Sequence, residues 1–74
     1  SPQYWAGKLQ AEPNLELLRE LKLTLSGQSL PWLRDFIETG GLNYLLNVLA
    51  KAEQNKDSVL LSEVVRCVIA LTNN

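Results

Sequence analysis

The chain has 74 residues, a formal net charge of −1, one cysteine and no histidine. A single cysteine excludes an internal disulfide and fits a reducing, intracellular setting. The 7 basic residues are interleaved with 8 acidic ones, which argues against bulk attraction to nucleic acid or anionic lipid, and no apolar run approaches the about 20 residues of a membrane span.

The first two helices are predicted from their capping residues. Ser1 followed by Pro2 is typical of a helix start, so we expect a short helix through about residue 9. Asn14 is a good N-cap for a second helix over 15–26, whose leucines fall largely on one face. The end of this segment alternates with period two, so a strand is a rival interpretation. The continuous leucine spacing and the glycine that follows favour the helix.

Two more helices are predicted on either side of a glycine pair. Ser29 can cap a third helix over about 30–38, and a fourth is expected over about 42–52. Gly40 and Gly41 separate them and allow a sharp change of direction. Each helix has one apolar stripe, formed by Trp32, Leu33, Phe36 and Ile37 in the third and by Leu42, Leu45, Leu46 and Leu49 in the fourth.

The fifth predicted helix begins after Asp57 or Ser58, either of which can cap it, and runs to about Asn73. Its apolar residues cover nearly the whole circumference, and such a helix is either buried or a contact surface. We therefore expect it to need more neighbours than four short helices supply. The chain is predicted to be all-α, with about five helices that form the truncated first unit of an α-solenoid.

Two polar side chains of the fifth helix have structural interpretations. Cys67 lies among apolar residues and is expected to be a buried, inert thiol. Arg66 is expected either to reach solvent or to pair with an acid such as Glu63. The expected structural core consists of Trp32, Phe36, Leu45, Leu49, Val64, Cys67, Val68 and Leu71.

No catalytic constellation is visible in the sequence. There is no histidine for acid–base work and no glycine-rich loop of the phosphate-binding kind. Glu16 and Glu20 are spaced for one helix face, which we interpret as a solvated face. We therefore predict neither an enzyme nor a cofactor or metal site. Trp32 is expected in the core, whereas Trp5 either packs against the second helix or stays available to a partner.

Two stretches resemble the amino-terminal GTPase-binding region of diaphanous-related formins. They are "LKLTLSGQSLPWLRDFIETGGLNYLLNVLAK" at 21–51 and "SEVVRCVIALTNN" at 62–74. The most specific matches are Glu63, Arg66, Cys67, Ala70, Leu71, Asn73 and Asn74. Pro31, Leu33 and Thr72 stand where this family usually has Ser, Val and Met, which is mild for the fold and leaves the preferred GTPase open.

The resemblance implies a division of the chain. Residues 1–39 would be the helical subdomain that precedes an armadillo solenoid, in the formin homology 3 region of such proteins. Residues 40–74 would be its first armadillo-like repeat, with the fifth helix as the inner one. Because the next repeat is missing, we expect an exposed apolar face on the fifth helix and self-association of the chain.

The resemblance also implies a function. In such formins a GTP-bound Rho-family GTPase docks on this region and relieves autoinhibition by a carboxy-terminal segment, which binds mainly to later repeats. Actin assembly belongs to other domains, and the setting is cytoplasmic and cytoskeleton-associated. Asn73 and Asn74 match the pair that the GTPase approaches, although simple helix termination also explains them. The alternative function is a generic helical adaptor that binds a peptide or helix and no GTPase.

Overall fold

Five α-helices make up the described part of the chain, residues 1–73 of a computed structural model. They are α1 (Pro2–Ala11), α2 (Leu15–Ser26), α3 (Leu30–Glu38), α4 (Gly41–Gln54) and α5 (Ser58–Thr72). Residues 1–73 contain no strand, so the all-α prediction is confirmed and the period-two end of α2 is helical.

Four of the five helices start at a residue whose side chain accepts a hydrogen bond from the first turn. The acceptors and donors are Ser1 and the Tyr4 N–H (3.2 Å), Asn14 and the Leu17 N–H (2.9 Å), Ser29 and the Trp32 N–H (3.3 Å), and Asp57 and the Leu60 N–H (3.1 Å). These bonds satisfy N–H groups that have no partner within the helix. Of the two residues predicted as the N-cap of α5, Asp57 is the one whose side chain caps the helix.

The helix ends differ modestly from the predicted ones. The helices α2 and α3 have the predicted bounds, whereas α1 and α4 each continue two residues further, to Ala11 and Gln54. Pro13 disfavours helical geometry only at the residue before it, so α1 can reach Ala11. At the end of α4, Glu53 and Gln54 are good helix formers. Gly27 ends α2 with φ −112°, so it does not use the left-handed conformation open to glycine.

The α3–α4 corner depends on both of its glycines. Gly40 has φ +96°, a conformation that strains any residue with a Cβ atom. Gly41 begins α4 against the ring of Phe36, and a Cβ atom at position 41 would lie 2.4 Å from ring carbons. The corner therefore brings the α4 backbone into direct contact with a core side chain of α3.

One hydrophobic core is shared by all five helices. Helix α5 packs mainly against α2 and α4, while α1 packs against α3, α4 and α2. The core consists of Ala6, Leu9, Leu18, Leu21, Leu25, Leu33, Phe36, Leu45, Val48, Val64, Cys67 and Leu71. The radius of gyration is 11.2 Å, close to the about 11 Å expected for one domain of this length. Both predicted halves of the chain thus contribute to the same core.

Each of the five helices leaves at least one large apolar side chain exposed to solvent. On α5, Val59, Val65 and Ile69 are exposed, so this helix is buried on one side only. Ile37 and Leu46 were placed in apolar stripes by their spacing but are also exposed. Each lies at the edge of its stripe, where a bundle of five short helices provides no neighbour to cover it.

Candidate functional site

Asn73 follows the last residue of α5 and is exposed. Its backbone has φ −95° and ψ 53°, so it ends the helix without adopting the left-handed conformation. Its amide is therefore accessible to a partner at the end of α5. Asn74, the second predicted contact residue, lies outside the described residues.

Asn73 shares one side of α5 with three other exposed side chains, Val65, Arg66 and Ile69. Spacings of three, four and seven residues place them within one third of the helix circumference. Val65 and Ile69 are apolar and are 42% and 55% exposed. We call these four residues the outer face of α5. It combines an amide, a cation and two aliphatic side chains, which suits a protein partner.

Next to the outer face, Glu63 holds a carboxylate at the α2–α5 contact. Its side chain is only 9% exposed, and three cations surround it. They are Arg19 (Nε to Oε1, 3.8 Å), Lys22 (Nζ to Oε2, 3.8 Å) and Arg66 (Nη1 to Oε1, 3.9 Å). All three distances exceed a hydrogen bond, and Oε2 is buried without a hydrogen-bond partner. We call Arg19, Lys22 and Arg66 the basic cluster.

The sequence prediction identified only part of this arrangement. Arg66 was expected to reach solvent or pair with an acid, and it does both, since its side chain is 56% exposed. No prediction was made that Arg19 and Lys22 of α2 would reach the Glu63 carboxylate, as both do. The available signal was a single acid on a largely apolar helix. The partners on α2 are more than 40 positions away and leave no local pattern.

Cys67 links α5 to the N-terminal half of α2. Its thiol donates a hydrogen bond to the Leu18 carbonyl oxygen, with Sγ 3.2 Å from that oxygen, and the residue is fully buried. Burial, followed by the negative charge of Glu63, raises the pKa of Cys67 to about 12, although Lys22 opposes the shift. The thiolate is the reactive form, so this cysteine is protected from chemistry at neutral pH.

The eight residues expected in the core fall into two groups. Phe36, Leu45, Val64, Cys67 and Leu71 are buried, whereas Trp32, Leu49 and Val68 are half-buried and pack against the core. Trp32 stacks on Phe36, with ring centroids 5.9 Å apart and planes 12° apart. Trp5 is also half-buried against the core, and its ring meets Tyr4 edge-on. Neither tryptophan is therefore a freely projecting anchor.

A cleft of about 430 Å³ lies between α1 and α4. Its apolar floor includes Leu9, Val48 and Leu60, and its polar rim includes Asn47 and Lys51. Within residues 1–73, no group of three His, Cys, Asp or Glu side chains is placed to hold a metal ion. Among the same residues, no helix has the length and apolar content needed to cross a membrane.

Helical architecture with an exposed mixed face defines a protein-binding module as the class of this chain. The family model of the Diaphanous GTPase-binding domain matches residues 1–74. The chain therefore belongs to the Diaphanous GTPase-binding domain family, a family of regulatory binding domains, and the resemblance to diaphanous-related formins is confirmed.

Curated relatives are formins of Dictyostelium discoideum. Formin-F is 35% identical over 78 residues and Formin-D is 32% identical over 73 residues, matches that cover 100% and 96% of this chain. Formin-H is 29% identical over an alignment of 63 residues, and the match covers 77% of this chain. The chain spans 6% of the length of each relative. No solved structure shows a significant match.

Proposed function

We propose that this chain binds the GTP-loaded form of a Rho-family GTPase and that the outer face of α5 is part of the docking surface. The observation that carries the proposal is the match of the Diaphanous GTPase-binding domain to residues 1–74. The partner would contact Asn73, which follows α5, and the next residue in the sequence, Asn74. Val65 and Ile69 would supply apolar contact area beside these amides.

The proposal extends to the organisation of the longer protein. Residues 1–39 act as the subdomain before an armadillo solenoid, and residues 40–74 as its first repeat. A carboxy-terminal segment of the protein binds mainly to later repeats and inhibits actin assembly by other domains, and the GTPase relieves that inhibition. The protein then works in the cytoplasm on the actin cytoskeleton. The sequence relation to Formin-F, Formin-D and Formin-H supports this context.

The test is a titration of Rho-family GTPases, each loaded with a GTP analogue or with GDP, against this chain and against a longer piece of the protein that includes later repeats. We expect binding to at least one member in the GTP form only, and weaker binding by the 74-residue chain. Absence of nucleotide-dependent binding to every member contradicts the proposal.

A matched pair of variants locates the surface. Asn73→Ala removes an exposed amide from the outer face, and Asn43→Ala removes an exposed amide from α4. Because neither side chain is buried, both variants should fold normally. We expect Asn73→Ala to weaken GTPase binding about tenfold, in the range of an interface side chain that costs 1–2 kcal/mol, and Asn43→Ala to leave it unchanged.

The second candidate function is a helical adaptor that binds a peptide without any GTPase. The α1–α4 cleft favours it, because an apolar floor with amide groups at its rim suits an extended chain. Binding of the protein's own carboxy-terminal segment together with indifference to every GTPase would support this function over the first.

A further inference from the structure

We propose that the basic cluster of Arg19, Lys22 and Arg66 is an electrostatic docking site for an acidic patch on the partner GTPase. The inference rests on the proposed function and adds the chemistry by which the partner is recognised. It requires an excess of positive charge that faces solvent and lies beside the apolar docking surface. The structure provides both.

The excess charge follows from the composition of the cluster. Three cations surround one carboxylate, so the group carries a net charge of about +2 at neutral pH. The side chains of Arg19 and Arg66 are 61% and 56% exposed, whereas Glu63 is 9% exposed. The positive groups therefore face solvent while the negative group lies beneath them. A partner approaching this surface meets the positive charge first.

Among the described residues, the acids of α2 form no ion pair with the basic cluster. Glu16 and Glu20 line a groove on the α1 side of α2, together with Lys8 and Glu12. Within the described residues, Glu63 is the acid found within 4 Å of the basic cluster. The basic cluster thus lies on the α5 side of α2 and the exposed acids on the α1 side.

The basic cluster is continuous with the outer face of α5, because Arg66 belongs to both. Val65 lies next to Arg66 in the sequence, and Ile69 is three residues further along the same face. Exposed cations beside aliphatic side chains form the arrangement in which charge guides the encounter and apolar contact holds the complex. One partner can therefore engage the basic cluster and Asn73 together.

The geometry favours a broad acidic protein surface over a small anion such as phosphate. A small anion needs donors that converge within hydrogen-bond distance. Here the Glu63 carboxylate already occupies the centre of the cluster, where it would repel a second anion. Carboxylates spread over a protein surface can instead approach Arg19 and Arg66 from outside. We assign Glu63 as a positioning residue that keeps the two guanidinium groups close together at the α2–α5 contact.

Charge reversal tests the site. We expect Arg19→Glu and Arg66→Glu each to slow association with the GTP-loaded GTPase about tenfold at low ionic strength. The difference from wild type should shrink as salt is added. The control is Lys56→Glu, which makes the same change in net charge at an exposed residue between α4 and α5 and should alter association less than about twofold. If a reversed variant fails to fold by circular dichroism, Arg19→Gln and Arg66→Gln replace it.

The role of Glu63 has its own kinetic signature. Glu63→Gln keeps the shape of the side chain and removes the buried negative charge. Association should become faster at low salt, because the net positive charge rises, and dissociation should also become faster, because the guanidinium groups lose their common anchor. If Glu63 served only to stabilise the fold, Glu63→Gln would not accelerate association. Unchanged association and dissociation rates therefore overturn the role assigned to Glu63.

The remaining outcomes separate this inference from the function on which it rests. If the wild-type chain binds a GTPase but Arg19→Glu and Arg66→Glu behave like Lys56→Glu, the electrostatic site is wrong and the proposed function stands. If neither the wild-type chain nor the longer piece binds any GTP-loaded Rho-family GTPase, both fail. Slowed association that persists unchanged in high salt also overturns the electrostatic site.

Discussion

Glu63 lies inside the bundle although none of the three cations around it is within hydrogen-bond distance. Burial of a carboxylate is costly unless charges or hydrogen bonds compensate it. The three cations differ in how much of this free-energy cost they can offset. Arg19 and Arg66 are more than half exposed, so water screens their attraction, whereas the Lys22 side chain is 35% exposed and lies nearest the buried Oε2 atom.

This difference predicts unequal costs for neutralising the cations. Lys22→Met leaves Oε2 buried without a nearby charge and should lower the free energy of unfolding by about 1–3 kcal/mol. Arg66→Met removes a screened partner of Oε1 and should cost less than about 1 kcal/mol. Urea denaturation of both variants measures the difference. Equal losses for the two variants would show that Lys22 has no special role.

Cys67 makes the free energy of unfolding depend on pH in the alkaline range, because the environment of its thiol differs between the folded and unfolded states. Its pKa is raised from 9.0 to about 12 in the folded chain by burial and by the charge of Glu63. Above pH 9 the unfolded chain loses the thiol proton while the folded chain keeps it. The stabilising contribution of the neutral thiol is therefore fully present below pH 9 and is lost as pH rises toward 12.

The corresponding prediction compares the wild-type chain with Cys67→Ala between pH 9 and pH 11. The free energy of unfolding of the wild type should fall more steeply, by up to about 1.4 kcal/mol per pH unit. Subtracting the variant removes every contribution that the two chains share. Denaturant titrations at several pH values give the two slopes. Parallel slopes would mean that Cys67 titrates normally in the folded chain.

At the scale of elements, two glycines that lie within helices differ in the space available for a side chain. Gly7 is exposed within α1, and nothing lies within 4 Å of a Cβ atom at its position. Gly41 also lies in a helix, but a Cβ atom there would meet the Phe36 ring at 2.4 Å. The same substitution should therefore have opposite effects at these two positions.

Gly7→Ala should raise the free energy of unfolding by about 0.5–1 kcal/mol, because alanine loses less conformational freedom in a helix. Gly41→Ala should lower it by about 1–3 kcal/mol, because the Phe36 ring must move within a packed core. Thermal unfolding followed by circular dichroism measures both. A stabilised Gly41→Ala variant would contradict the close contact with Phe36.

The helices themselves were largely predictable, because their signals are local. Ser1, Asn14 and Ser29 cap the helices that the sequence predicted for them. The helix ends were predicted less well, since good helix formers such as Gln54 continue a helix when no signal stops it. The exposure of Ile37 and Leu46 could not be predicted from spacing, because it depends on which helices are neighbours.

The candidate site was predictable only where it lies on one helix. Asn73 and Arg66 were singled out from the sequence, and both are exposed on α5. The convergence of Arg19 and Lys22 on Glu63 depends on the packing of α2 against α5. The spacing of residues within one helix does not predict which other helix packs against it. The depth of Glu63 in the bundle is missed for the same reason.

At the scale of the whole molecule, one core serves five helices while α5 keeps an apolar strip in solvent. Val65 and Ile69 are exposed side by side on the outer face. In a chain of this size such a strip is a candidate interface, either for a partner protein or for a second copy of the chain. Self-association and GTPase binding would then use the same face.

We expect the 74-residue chain to self-associate through the outer face at high concentration. Ile69→Glu places a charge in the centre of this face and should yield a monomer, whereas Leu46→Glu changes an exposed leucine of α4 and should not. Sedimentation velocity across a concentration series gives the oligomeric state. A monomeric wild-type chain at the highest concentration contradicts this expectation.

The bond between the Cys67 thiol and the Leu18 carbonyl joins residues 49 positions apart, and it lies in the most extensive helix contact of the fold. On a ribosome that adds 5–20 residues per second, α2 emerges about 2–10 s before the residues that cover it. During this interval the leucines that α2 buries against α5 have no native neighbour. The core therefore cannot assemble in the order of synthesis, and nascent chains that end between α2 and α5 are the ones on which a chaperone should act.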